Sequence, residues 1–82
     1  MLTAKVNVSL KTGVVDPQAG AIKSALINLG FKDVQSVSVS KLIEIKLDSD
    51  SKGKARKDAE EMCEKLLANT VIENYKIEIT ED

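Results

Sequence analysis

Histidine and tryptophan are absent from this sequence, and phenylalanine, tyrosine, cysteine and proline occur once each. Without histidine there is no imidazole base, no imidazole metal ligand and no Cys–His cluster. A single cysteine excludes a disulfide within the chain and fits a reducing compartment. One Phe and one Tyr cannot build the aromatic platform on which RNA-recognition sheets stack bases. Neither sign of charge dominates: 12 Lys and Arg face 13 Asp and Glu, a net charge of −1. Such a chain has no global field to draw nucleic acid or an anionic membrane. No apolar run approaches the ~20 residues of a membrane span. Neither G-x-G-x-x-G nor G-x-x-x-x-G-K-[ST] occurs, so Gly13 belongs to no phosphate loop. Leu2-Thr3-Ala4-Lys5 alternates from the start in place of the apolar core of a secretory signal, and the expected location is the cytoplasm.

What is present is a folding composition. The 82 residues are 43% hydrophobic and 30% charged, which points to one small domain over residues 1–82. A domain of this size buries only ~60% of the surface its unfolded chain exposes. With no disulfide and no metal-ligand set to staple it, association with another subunit is expected.

Period-two alternation of Leu2, Ala4, Val6, Val8 and Leu10 predicts a strand over 2–10 with one buried face. Asp16-Pro17 marks a helix start, Ile22, Ala25, Leu26 and Leu29 follow at helical spacing, and Gly30 stops the helix in the left-handed region with Phe31 folding back. The first helix is therefore placed at 17–29. Val37, Val39, Ile43, Ile45 and Leu47 share odd parity, which predicts β structure over 34–48. A three-residue connection over 40–42 keeps all of them inward, pairing 39 with 43 and 37 with 45; one long bent strand satisfies the same parity. A second helix is placed at about 54–68, with Ala55, Ala59, Met62, Cys63 and Leu66 inward and Asn69 as a left-handed terminator. Tyr75, Ile77 and Ile79 predict a last strand over about 71–79, before an acidic Glu81-Asp82 end. The order β-α-β-β-α-β packs most simply as an α+β, two-layer, ferredoxin-like fold: an antiparallel sheet with both helices on one face.

No catalytic set emerges. Cys63 lies on an apolar helix face beside Glu64, with no base, and reads as a packed core thiol. Glu60, Glu61 and Glu64 read as a solvated face, with Lys57–Glu61 and Glu61–Lys65 as exposed i,i+4 ion pairs. Lys52, Lys54, Arg56 and Lys57 gather at the start of the second helix and read as solvated, with a partner contact as the alternative. Gly20, Ser24 and Ile27 on the outer face of the first helix suit either a plain surface or an interface.

Four segments carry a family resemblance. They are Leu10-Lys11-Thr12-Gly13-Val14-Val15-Asp16-Pro17-Gln18; Ala25-Leu26 with Leu29-Gly30-Phe31; Val37 to Leu47 with Lys41, Ile43 and Glu44; and Met62-Cys63-Glu64-Lys65-Leu66-Leu67-Ala68-Asn69 running into Val71-Ile72-Glu73 and Tyr75. In this order, over nearly the whole chain, they resemble the PurS family, the small subunit of formylglycinamide ribonucleotide amidotransferase (phosphoribosylformylglycinamidine synthase). The pattern departs at Ala19-Gly20, Ser40-Lys41 and Thr70, all positions of backbone shape.

The resemblance implies a non-catalytic subunit of a ligase that uses glutamine as amide donor. The enzyme converts formylglycinamide ribonucleotide, glutamine and ATP into formylglycinamidine ribonucleotide in purine biosynthesis. It implies a homodimer, or a tetramer, that bridges the synthetase subunit PurL and the glutaminase subunit PurQ and supports ammonia transfer. ATP and Mg would bind the synthetase, and this chain no cofactor or metal. Lys11, Gly13, Asp16, Pro17 and Gln18 at the entry to the first helix, with Asn69, Glu73 and Tyr75 at the entry to the last strand, are the expected contact or loop-shaping positions. A small-molecule-binding regulatory domain of the ACT type shares the element order and is the alternative; saturable binding of an amino acid would favour it.

Overall fold

The computed structural model describes residues 1–81. Strand β1 covers Leu2–Leu10, helix α1 Pro17–Asn28, strand β2 Ser40–Leu47, helix α2 Lys52–Met62 and strand β3 Glu73–Glu81. A π-helical turn over Cys63–Leu67 extends α2. The strands form one antiparallel sheet in the order β2-β1-β3. The alternation expected of β1 sets its register. Val6 lies between Ile43 and Ile77, and Ala4 between Ile45 and Ile79, so the odd-numbered side chains of β2 and β3 share a face with the even-numbered ones of β1.

That face is covered by α2. Val6, Val8, Cys63 and Ala68 form the buried centre, with Ile43, Ile45, Leu67, Tyr75 and Ile77 packed around it. Ala55 and Ala59 are also fully buried, and their small side chains let α2 approach the sheet closely. Ser51 caps α2, accepting a hydrogen bond from the Lys54 N–H at 3.2 Å. The helix thus starts two residues before the expected 54.

The α+β, ferredoxin-like class holds, with one strand fewer in the chain. The expected hairpin over 40–42 does not form: β2 runs unbroken through Ser40, Lys41 and Leu42, and residues 34–39 lie outside both ladders. The physical reason is turn chemistry. A short hairpin connection needs a residue at positive φ, and Ser-Lys-Leu contains neither Gly nor Asn.

Helix α1 begins as expected, with Asp16 Oδ1 accepting from the Gln18 N–H at 2.9 Å and Pro17 in its first turn. It ends on Gly30 at φ +105°, where the Gly30 and Phe31 N–H groups donate to the Ile27 and Leu26 carbonyls, each at 3.0 Å. The Phe31 backbone folds back, but its side chain remains 59% exposed. Only Ala19 of α1 is buried; Ile22 and Leu29 are 38% and 74% exposed, and α1 makes only marginal contact with the other elements. Asn69 is not left-handed, since no non-glycine residue among those described has positive φ. The chain leaves the π-turn through Ala68 in an extended conformation, and Asn69 organises the next turn instead.

Candidate functional site

Two loops meet at one end of the sheet. The first leaves β1 and enters α1. Gly13 sits there at φ +91°, a conformation open to glycine but costly for other residues, and the Val14 N–H closes the turn on the Lys11 carbonyl at 3.1 Å. The second joins the π-turn to β3. Asn69 Oδ1 accepts from the Val71 N–H at 3.2 Å, and the Asn69 carbonyl accepts from Ile72 and Glu73 at 3.0 and 2.7 Å. The Lys11 N–H donates to the Ile72 carbonyl at 2.8 Å and ties one loop to the other.

Glu73 is the centre of this arrangement. Its Oε1 accepts from the Asn69 N–H at 2.7 Å, and its Oε2 lies 3.9 Å from Lys41 Nζ across the sheet. The carboxylate is largely sheltered, at 15% side-chain exposure, whereas Lys41 is 62% exposed. Asp16, Gln18, Ser40, Lys41 and Glu73 line a depression of about 310 Å³ between the loops and the sheet. Val15 and Val71, one on each loop, are 85% and 81% exposed. The end therefore presents two bare aliphatic side chains together with a carboxylate held by the Asn69 N–H and an exposed lysine, a surface suited to protein contact.

The structure brings Lys11, Gly13, Asp16, Pro17, Gln18, Asn69 and Glu73 to this end. Tyr75 points elsewhere: it pairs with Val8 and packs on the core. Burial pushes its phenol pKa up, and Glu64, Cys63 and Glu60 add to the shift. Lys41, Val15 and Val71 belong to the site and were missed as such. The signal for Lys41 was parity: Lys41 and Glu73 are charges of opposite sign at positions where Ile or Val would continue the buried face.

The other candidates are used structurally. Arg56 donates to the Ile77 carbonyl at 3.2 Å, and Lys52 lies 3.5 Å from Glu81, so part of the basic cluster holds α2 to β3. Lys65 and Glu61 are 4.0 Å apart as an exposed i,i+4 pair. Among the described residues no group of three or more His, Cys, Asp or Glu is placed to hold a metal, and no helix is long and apolar enough to cross a membrane.

Cys63 is fully buried, and burial pushes its thiol pKa above the ordinary 9.0, with Glu64 and Glu60 adding to the effect. Its neutral form is thus favoured by folding, and so is that of Tyr75. The stability linked to both is present below their ordinary values of 9.0 and 10.0 and is lost as pH rises through the higher folded values. Melting temperature should accordingly fall above about pH 9, and less steeply in Cys63→Ala than in the native chain. At pH 8 a thiolate-directed reagent should label Cys63 only in denaturant; equal slopes, or prompt labelling of the native protein, would contradict this.

Comparison with known proteins agrees with the geometry. The family model "PurS: Phosphoribosylformylglycinamidine (FGAM) synthase" matches residues 3–81. The phosphoribosylformylglycinamidine synthase subunit PurS of Methanocaldococcus jannaschii is 42% identical over 79 residues, covering 96% of this chain and 95% of that protein. Its Bacillus subtilis counterpart is 44% identical over 85 residues, covering 99% and 95%. The M. jannaschii PurS crystal structure superposes with a TM-score of 0.91 at 40% identity, over 100% of this chain and 99% of that one. A chain of the Thermotoga maritima PurLQS structure does so with a TM-score of 0.84 at 26% identity, over 98% and 99%. Sequence, fold and length agree over the whole match, and the chain belongs to the PurS family of phosphoribosylformylglycinamidine synthase.

Proposed function

We propose that the chain is the small, non-catalytic subunit of phosphoribosylformylglycinamidine synthase in purine biosynthesis, bridging the PurL synthetase and the PurQ glutaminase. The observation that carries this reading is the full-length match to PurS proteins, one of them a chain of a PurLQS structure. The same match sets aside the ACT-like alternative.

The work assigned to such a subunit is positional. Ammonia released by glutamine hydrolysis is protonated in water at neutral pH and ceases to be a nucleophile. Holding glutaminase and synthetase in one assembly raises the effective concentration of ammonia at the second site. A chain with no histidine and one buried thiol has no catalytic set of its own and suits this role. The loop end around Glu73, with Val15 and Val71 exposed, is the surface assigned to subunit contact. ATP and Mg act on the synthetase, this chain binds no cofactor, the assembly is cytoplasmic, and the chain self-associates within it. The test is reconstitution from the three purified chains, with glutamine or ammonia as nitrogen donor. The glutamine-dependent reaction is expected to need this chain and the ammonia-dependent one not to.

A further inference from the structure

The sheet has two faces, and α2 covers one of them. That face carries Val6 and Ile77; the other holds the odd-numbered side chains of β1 and the even-numbered ones of β2 and β3. It forms a depression of about 1050 Å³ that spreads over all three strands, and no residue of α1 or α2 lines it. Small-molecule pockets are concave, mostly apolar and about 300–1,000 Å³ in volume. A broad sheet face lined by lysine, asparagine and serine suits a protein surface instead.

Its charge is one-sided. Lys5, Lys11, Lys46 and Lys76 lie on it against Glu44 and Glu78, a positive excess on a chain whose net charge is −1. Both glutamates flank Lys5 in register. Lys76 lies opposite Asn7, and Lys11 follows the end of β1, so neither has a carboxylate in register with it. Glu73 also lines the depression, but its carboxylate is held by the Asn69 N–H. Among the described residues the ion pairs engage Lys41, Lys52 and Lys65, and Lys11 and Lys76 have none.

Leu42 stands in the same row as Lys76: it pairs with Asn7, which pairs with Lys76, and it is 60% exposed. A bare leucine among lysine and amide side chains has the layout of a contact surface, an apolar anchor inside a polar rim. A bridging subunit needs two such surfaces, and the loop end around Glu73 is one.

We propose that this sheet face is the second: it docks an acidic surface of a large subunit of the assembly, with Leu42 against an apolar side chain and Lys11 and Lys76 against carboxylates. The inference rests on the bridging role and adds to it the chemistry of a contact. A second copy of this chain does not fit, because stacking the face on itself sets lysines against lysines, and like charges across an interface repel.

The test measures binding of the chain to a mixture of PurL and PurQ, with glutamine, ATP and Mg present, at low and high salt. The double variant Lys11→Glu with Lys76→Glu is expected to bind on the order of tenfold more weakly or worse. Native affinity should fall with salt more steeply than the variant's, since salt screens the contacts the variant lacks. Lys54→Glu with Lys57→Glu makes the same change of charge at exposed positions of α2 and should leave affinity unchanged. Native affinity in the Lys11 and Lys76 variant, or an equal loss in the α2 variant, would overturn the proposal and leave the bridging role standing. If the first variant does not fold, Leu42→Ser at its exposed position takes its place: the same loss is expected, and native affinity would overturn the proposal. A native chain that does not bind the mixture at all would contradict the bridging role as well.

Discussion

Ala59→Leu is expected to lower the unfolding free energy by about 3 kcal/mol, the upper end for added bulk in a packed core. Ala59 has 0% exposure, with Ala55 at 1% one turn away, and the two form the surface that α2 presses on the sheet. Three additional carbons there must push α2 outward or force neighbouring side chains out of their rotamers. For a domain of this size the loss corresponds to a fall in melting temperature of roughly 12–24 °C. Ile22→Ala, on the weakly packed α1, should cost far less. Thermal melts of both variants at one protein concentration check the contrast, and an Ala59→Leu chain as stable as the parent would contradict the packing described.

Glu73→Ala is the second large effect, expected at about 2–3 kcal/mol. Two interactions are lost, and their magnitudes differ. A hydrogen bond to a charged group contributes about 1.5–3 kcal/mol, and the 2.7 Å bond from the Asn69 N–H is of that kind. The contact with Lys41 is 3.9 Å long and its lysine is 62% exposed, which limits it to well under ~1 kcal/mol. Glu73→Gln keeps an acceptor while removing the charge and should recover much of the loss. Lys41→Ala should cost little. Denaturant titration of the three variants checks this order; a Lys41→Ala defect as large as that of Glu73→Ala would place the energy in the ion pair.

Much of this was legible because local chemistry decided it. The alternation in β1 survives since one face meets the core, and Asp16-Pro17 and Gly30 act through their own backbones. Ser40-Lys41-Leu42 misled because parity constrains which face a side chain takes and says nothing about whether the strand turns. Asn69 misled for a related reason: its side chain could stop a helix or bond two residues ahead, and Glu73 decided for the second. Ser51 was overlooked as a cap because it sits in a run of Ser, Asp, Lys and Gly that reads as loop. The site itself was legible as two loops, but their meeting depends on the 2.8 Å bond between Lys11 and Ile72, a contact between distant parts of the chain. Lys41 could have been found from parity, as a charge on the same face as Glu73. Val15 and Val71 carry no local signal, since exposed aliphatic residues are common on any surface.

The central claim, that the chain couples glutaminase to synthetase, is tested most directly by one ratio: the rate with glutamine divided by the rate with ammonia, measured for the two large subunits with and without this chain. The account predicts a fall in the ratio of at least tenfold, on the order of 1.4 kcal/mol or more, when the chain is left out, with the ammonia-dependent rate unchanged. An unchanged ratio would contradict it.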